Sequence, residues 1–203
     1  MSWPRDDRMR SEEVIDLERL CADAQSRARW SSDLARREHL SCLGPALDEL
    51  VLGRAALYRS LFVRPQDDGV SVAVAARQHL EAATDALRQV GQLDHVPRAL
   101  VTRAWLRCLE GDADGARADL DEAWDIAERG QMRLHMADIH LHRARLFRDT
   151  ADLRNARLLI EQCGYWRRKG ELDDSKAAAM DWQMPEITEK PACQNPKPRD
   201  TWH

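Results

Sequence analysis

Apolar side chains recur along this chain at alternating steps of three and four. Ala76, Leu80, Ala83, Leu87 and Val90 are spaced 4, 3, 4, 3. Ala116, Leu120, Ala123 and Ala127 are spaced 4, 3, 4, and Leu153, Ala156, Ile160 and Cys163 are spaced 3, 4, 3. Such steps gather apolar residues on one face of an α-helix. Further stripes lie between them: Leu47, Val51, Ala55, Tyr58 and Phe62, then Val101, Ala104 and Cys108, then Ala137, Leu141, Ala144 and Phe147. No segment alternates with period two for long enough to make a strand. The pattern predicts an all-α chain.

The stripes repeat. "TRAWLRCLEGDADGARADLDEA" (102–123) and "HRARLFRDTADLRNARLLIEQC" (142–163) keep step without a gap, forty residues apart. Arg103-Ala104 answers to Arg143-Ala144, Ala116-Arg117 to Ala156-Arg157, and Leu120 to Ile160. A third copy lies upstream in "GRAALYRSLF" (53–62) and "AARQHLEAA" (75–83), with "VRPQDDGVSV" lengthening its turn. A fixed period signals a solenoid, because one unit cannot bury its own apolar face. Small residues at Ala104, Ala116, Ala123, Ala144 and Ala156 would let paired helices approach closely. Asp112 and Asp152 are expected to cap the second helix of their copies, and Gly111 to take the left-handed conformation that ends the helix before.

The ends are read more coarsely. Residues 1–10 form an N-terminal arm. Residues 11–44 are expected to hold a helical pair, over 11–30 and 31–43, broken at Gly44-Pro45 and together forming a worn repeat. Residues 45–182 are the repeats with a closing helix over 170–182. Residues 183–203, with four prolines among polar residues, form an extended tail.

A small residue in a first helix, a Gly-Asp turn, then Ala, a large apolar residue and Ala in a second helix resembles the tetratricopeptide (TPR) pattern. Gly111-Asp112, Ala116, Leu120 and Ala123 carry it. The third copy departs at Ala151 and Cys163, the first lacks the tight turn, and forty residues exceed the usual TPR period. Residues 45–172, with "LDELVLGRAALYRSL" and "CGYWRRKGEL", are similar to the C-terminal TPR region of large bacterial multidomain proteins of NTPase, TIR or peptidase type. The resemblance implies a right-handed superhelix of antiparallel helical hairpins. It implies that the first helix of each hairpin lines a concave groove, with Ala56, Trp105 and Arg145 pointing into it. One turn to either side, Arg59, Val101, Leu141 and Arg148 would follow, with Arg98 and Asp138 beside them. The expected groove therefore has an apolar floor, Trp105 at its centre and arginines along it. It lacks the asparagines with which chaperone-binding TPRs clamp a terminal carboxylate. A protein segment with an apolar anchor flanked by acidic residues fits instead.

Composition narrows the field. Of 203 residues, 31 are basic and 35 acidic, a net charge of -4 that gives no general pull toward nucleic acid or anionic membrane. "MSWPRDDRMR" lacks the apolar core of a secretory signal. No apolar run is long enough to span a bilayer. The five cysteines are scattered and never form C-x-x-C, which suits a reducing cytosol rather than a disulfide framework or zinc site. No G-x-x-x-x-G-K-[ST] is present, so no P-loop chemistry is assigned.

Three clusters compete as sites. His135, Asp138 and His142 share one helix face and His140 points elsewhere; no complete ligand set accompanies them, so no metal or other cofactor is assigned. "GYWRRKG" sets Trp166 beside Arg167, Arg168 and Lys169, either as a base-stacking basic patch or as a solvated turn with one anchoring aromatic. Cys108 and Cys163 fall on apolar stripes and are expected to pack in the core like alanine. No catalytic residue is assigned. The terminal tryptophans, Trp3, Trp182 and Trp202, hint at docking to a partner chain, and an oligomer is open. The leading expectation is a non-catalytic protein-binding scaffold. A regulatory or sensor subunit of a larger bacterial enzyme or defence system, and a nucleic-acid-binding or metal-dependent enzyme, are the alternatives.

Overall fold

The alternating spacing of apolar residues is realised as a succession of helices. The computed structural model describes residues 11–62 and 70–182. The expected arm at 1–10, the lengthened turn around 63–69, and the tail at 183–203 with Cys193 and Trp202 lie outside the described residues. Among those described, there are eight α-helices and no strand: α1 (Ser11–Arg37), α2 (Leu43–Phe62), α3 (Val70–Val90), α4 (Val96–Leu109), α5 (Ala113–Arg129), α6 (Arg133–Phe147), α7 (Thr150–Cys163) and α8 (Lys169–Trp182), with a 3-10 turn at Trp166–Arg168. None is long and apolar enough to cross a membrane.

Consecutive helices pair. α2 packs on α3, α4 on α5 and α6 on α7, while α3 meets α4 and α5 meets α6 to join one hairpin to the next. α2, α4 and α6 also touch in succession, so the first helices of the three hairpins lie side by side. The alanines at the crossings are wholly buried: Ala83, Ala104, Ala116, Ala123, Ala144 and Ala156. Leu80, Leu87, Leu100, Leu120, Ile139, Leu141 and Ile160 fill the space between them, each burial stabilising by about 1.5–3 kcal/mol. Gly53 serves the same close approach between α2 and α3, since a Cβ there would stand 2.7 Å from the Leu80 side chain.

Several local expectations are corrected. The segment 11–44 holds one helix rather than two. α1 runs unbroken through Ser31, because the buried Ser32 hydroxyl donates to Asp48 Oδ2 at 3.0 Å instead of competing with the backbone. Gly44-Pro45 does not end a helix; it lies in the first turn of α2, where proline is tolerated. α1 packs on α2 itself. Asp112 caps α5, accepting from Gly115 N at 2.9 Å, and Gly111 before it takes φ +88°. Asp152, however, does not cap α7. That helix begins a turn earlier, and Asp149 caps it through Ala151 N at 2.7 Å and Asp152 N at 3.1 Å. Cys108 and Cys163 are half-buried at the edge of the core rather than inside it, whereas Cys21 is buried. α8 closes the array, its Leu172 buried against α6 and α7 and its Trp182 half-buried on the same cluster.

Candidate functional site

Because α2, α4 and α6 lie side by side, their outward faces form one groove, of about 620 Å³. α2 contributes Arg54 and Tyr58; α4 contributes Arg98, Val101, Thr102 and Trp105; α6 contributes His135, Asp138, His142 and Arg145. Asp94 and His95 come from the turn before α4. One end is walled by Tyr165, Arg167, Arg168 and Glu171, from the 3-10 turn and the start of α8.

The end wall is fastened by charge. Arg168 donates through Nε to Asp138 Oδ1 at 2.7 Å and through Nη1 to Glu171 Oε1 at 2.5 Å. The Tyr165 hydroxyl reaches Asp138 Oδ2 at 3.3 Å, and Arg145 Nη1 reaches Glu171 Oε2 at 3.3 Å. Burial pulls the Arg168 guanidinium downward, but its bonds to Asp138 and Glu171 outweigh this and hold its pKa above the ordinary value. His142 Nδ1 lies 2.8 Å from the Asp138 carbonyl oxygen. A carbonyl only accepts, so the proton is on Nδ1 and Nε2 keeps its lone pair. Burial lowers the pKa of His142, against the opposing pull of Asp138, and does the same to His135. Both imidazoles are therefore neutral at pH 7.

On the α2 and α4 side, the groove is organised around Arg54. Its Nε donates to Thr102 Oγ1 at 3.0 Å and its Nη2 to the Arg98 carbonyl at 3.3 Å. Burial, then the neighbouring Arg98 charge, push its pKa down. Nearby, the half-buried Trp105 ring meets Tyr58 edge-on, with centroids 5.5 Å apart and planes at 77°, a favourable aromatic geometry.

Five of the expected partner-binding residues meet in this groove: Arg98, Val101, Trp105, Asp138 and Arg145. Three do not line it. Arg59 turns toward α1, where Nη1 donates to Gln25 Oε1 at 3.4 Å. Leu141 is fully buried among Ala137, Ala144 and Ile160, so it is core rather than groove floor. Arg148 lies past the end of α6, exposed and left-handed at φ 56°. Ala56 is buried too, so the lining is shared between polar side chains and the apolar Leu57, Val101, Trp105 and Leu134 rather than resting on an apolar floor. The histidines divide by helix face: His135 and His142 line the groove, while His140 Nδ1 meets Asp152 Oδ1 at 2.5 Å. Among the described residues no group of three His, Cys, Asp or Glu side chains is arranged to hold a metal.

Sequence reasoning gave Arg54 no role, placed Tyr58 on an apolar stripe, and did not join the end wall to the groove. "GYWRRKG" did single out the wall, but the aromatic that anchors it is Tyr165, with Trp166 exposed. The pairing of Arg168 with Asp138 spans thirty residues, and no spacing rule reaches that far. No protein-family model, curated protein or solved structure matches the chain.

Proposed function

We propose that this protein is a non-catalytic binding module, a degenerate TPR-like array wound as a right-handed superhelix, whose groove takes a segment of a partner protein in a reducing cytosol. The observation that carries this is the composition of the groove. It combines an aromatic pair, Tyr58 and Trp105, with five arginines and only three carboxylates. In a chain of net charge -4, that excess of positive charge is local. A segment with an apolar anchor and flanking acidic residues matches both features. The forty-residue register, the buried alanines at each crossing and the Gly111-Asp112 turn support the TPR-like reading. Rigid helices presenting a groove bind protein segments by a few anchors, and Trp and Arg are the residue types that most often dominate such contacts.

The test uses captured partners compared between variants. Trp105→Ala, and separately Arg98→Glu with Arg167→Glu, should each release the partners held by the wild-type chain, with the helical circular dichroism kept. If Trp105→Ala lowers the melting temperature sharply and the arginine pair leaves capture unchanged, Trp105 is only a packing residue and the groove reading fails.

A further inference from the structure

The five groove arginines are not equivalent. Arg145 and Arg168 share Glu171, and Arg168 also holds Asp138. Those two carboxylates are thus engaged at the end wall, and Asp94 lies 3.6 Å from His95. Among the described residues no carboxylate pairs with Arg54, Arg98 or Arg167. Arg54 is the least expected of these. It is half-buried, yet its direct hydrogen-bond partners carry no charge.

Its position is nevertheless fixed. Both hydrogen-bond acceptors are neutral, the Thr102 hydroxyl and the Arg98 carbonyl. Thr102 in turn donates to that same carbonyl at 2.8 Å. Two of the five guanidinium donors are spent in this way. The Arg98 charge acts on Arg54 across the groove wall, and the Arg98 side chain makes no hydrogen bond to any described residue. Two like charges from α2 and α4 are therefore held at one wall of a concave surface. Asp138 reaches Arg54 only through space, the weakest of the influences on it, and no described carboxylate bonds to either guanidinium; a concave wall focuses their field.

We infer that Arg54 and Arg98 form an oxyanion subsite, which receives the acidic group of the segment bound in the groove. The shared chemistry is an anion with two or more oxygens, a carboxylate or a phosphoryl group. Guanidinium forks match both in bidentate geometry. This inference rests on the groove reading above and adds where the acid is held. Arg54, oriented by Thr102, supplies the preorganised half; Arg98, free to swing, supplies the other.

The test needs no partner protein. Nitrogen-15-labelled protein is titrated with inorganic phosphate, and separately with acetate, while the arginine Nε–H resonances are followed by NMR. Sodium chloride at matched ionic strength is the control. The Arg54 and Arg98 signals should move saturably, well beyond those of Arg145 and Arg168. Arg98→Gln should weaken the anion by about tenfold, the loss of one charge-assisted contact. Arg54→Gln also cuts a tie between α2 and α4, so Arg98→Gln, whose side chain ties nothing, is the decisive variant. Saturation by acetate assigns a carboxylate ligand, and saturation by phosphate alone a phosphoryl ligand; either supports the subsite. Shifts that follow ionic strength equally at all groove arginines, or an unchanged affinity in Arg98→Gln, overturn it. That result would leave the groove reading standing, because capture through Trp105 is measured independently.

Discussion

The hairpins α4–α5 and α6–α7 share a forty-residue register, yet they spend the same arginine differently. In α4–α5, Arg103 grips Asp119 with two bonds, at 2.9 and 2.6 Å, and Arg107 adds a third contact at 2.9 Å. Asp119 is only 2% exposed. The bond ties the two helices of one hairpin together. In α6–α7 the position of Asp119 is Leu159, which packs on the apolar cluster. Arg143, the counterpart of Arg103, turns back instead. It meets Asp121 at 2.6 Å and stacks toward Trp124 at 5.5 Å, both on α5. One arginine closes its own repeat and the other clasps its neighbour. The apolar register is what repeats; the polar pairs are rewritten copy by copy.

The largest expected break in this comparison is Asp119→Ala. It strands Arg103 in a nearly buried site, and removing one partner of such a pair costs about 3–5 kcal/mol. Asp121→Ala removes an exposed partner and should cost under about 1 kcal/mol. Urea unfolding of both variants measures the gap, and equal midpoints would show that the two arginines are energetically alike.

Next in size is the cap of α7. Asp149→Ala should lower stability by about 1 kcal/mol, whereas Asp149→Asn should lose little, since asparagine also caps. Thermal melts separate the two. An Asp149→Ala protein that melts like the wild type would return the cap to Asp152.

The smallest effect is on pH. His142 stands where the other copy has Thr102, and burial depresses its pKa. Asp138 and Arg145 face it from α6, and Arg168 from the 3-10 turn. A depressed pKa means that the unfolded chain binds more protons, so stability is full above the unfolded value of about 6.5 and is lost as pH falls below it. His135 acts in the same direction. Melting temperature should therefore decline between about pH 7 and 5.5, before carboxylates titrate. His142→Thr should flatten the decline; an unchanged slope would mean that the imidazole is not the source.

Most helices and the alanine crossings were legible because period and residue size are local properties. The cap of α5 was legible for the same reason, with Asp112 directly after the glycine. The cap of α7 was not. Copying the register onto Asp152 ignored the extra turn at the start of α7, which frees that carboxylate for His140. The groove was half legible. Arg98, Trp105, Asp138 and Arg145 follow from placing first helices side by side. Leu141 was misplaced because one apolar stripe can face either core or groove, and spacing alone does not choose. The end wall depends on a contact between α6 and a turn two elements later, which no local pattern encodes.

That wall joins two things that would otherwise vary separately. Arg168 is bound at once to α6, through Asp138, and to α8, through Glu171. On the proposed reading, a segment in the groove that displaces Asp138 must displace Arg168 with it, and through Glu171 the seating of α8. Thermodynamic reciprocity would then work in reverse: whatever clamps α8 onto the helices before it would tune binding in the proposed groove. The last described helix would thus be both a cover on the apolar cluster around Leu172 and a handle on the proposed groove.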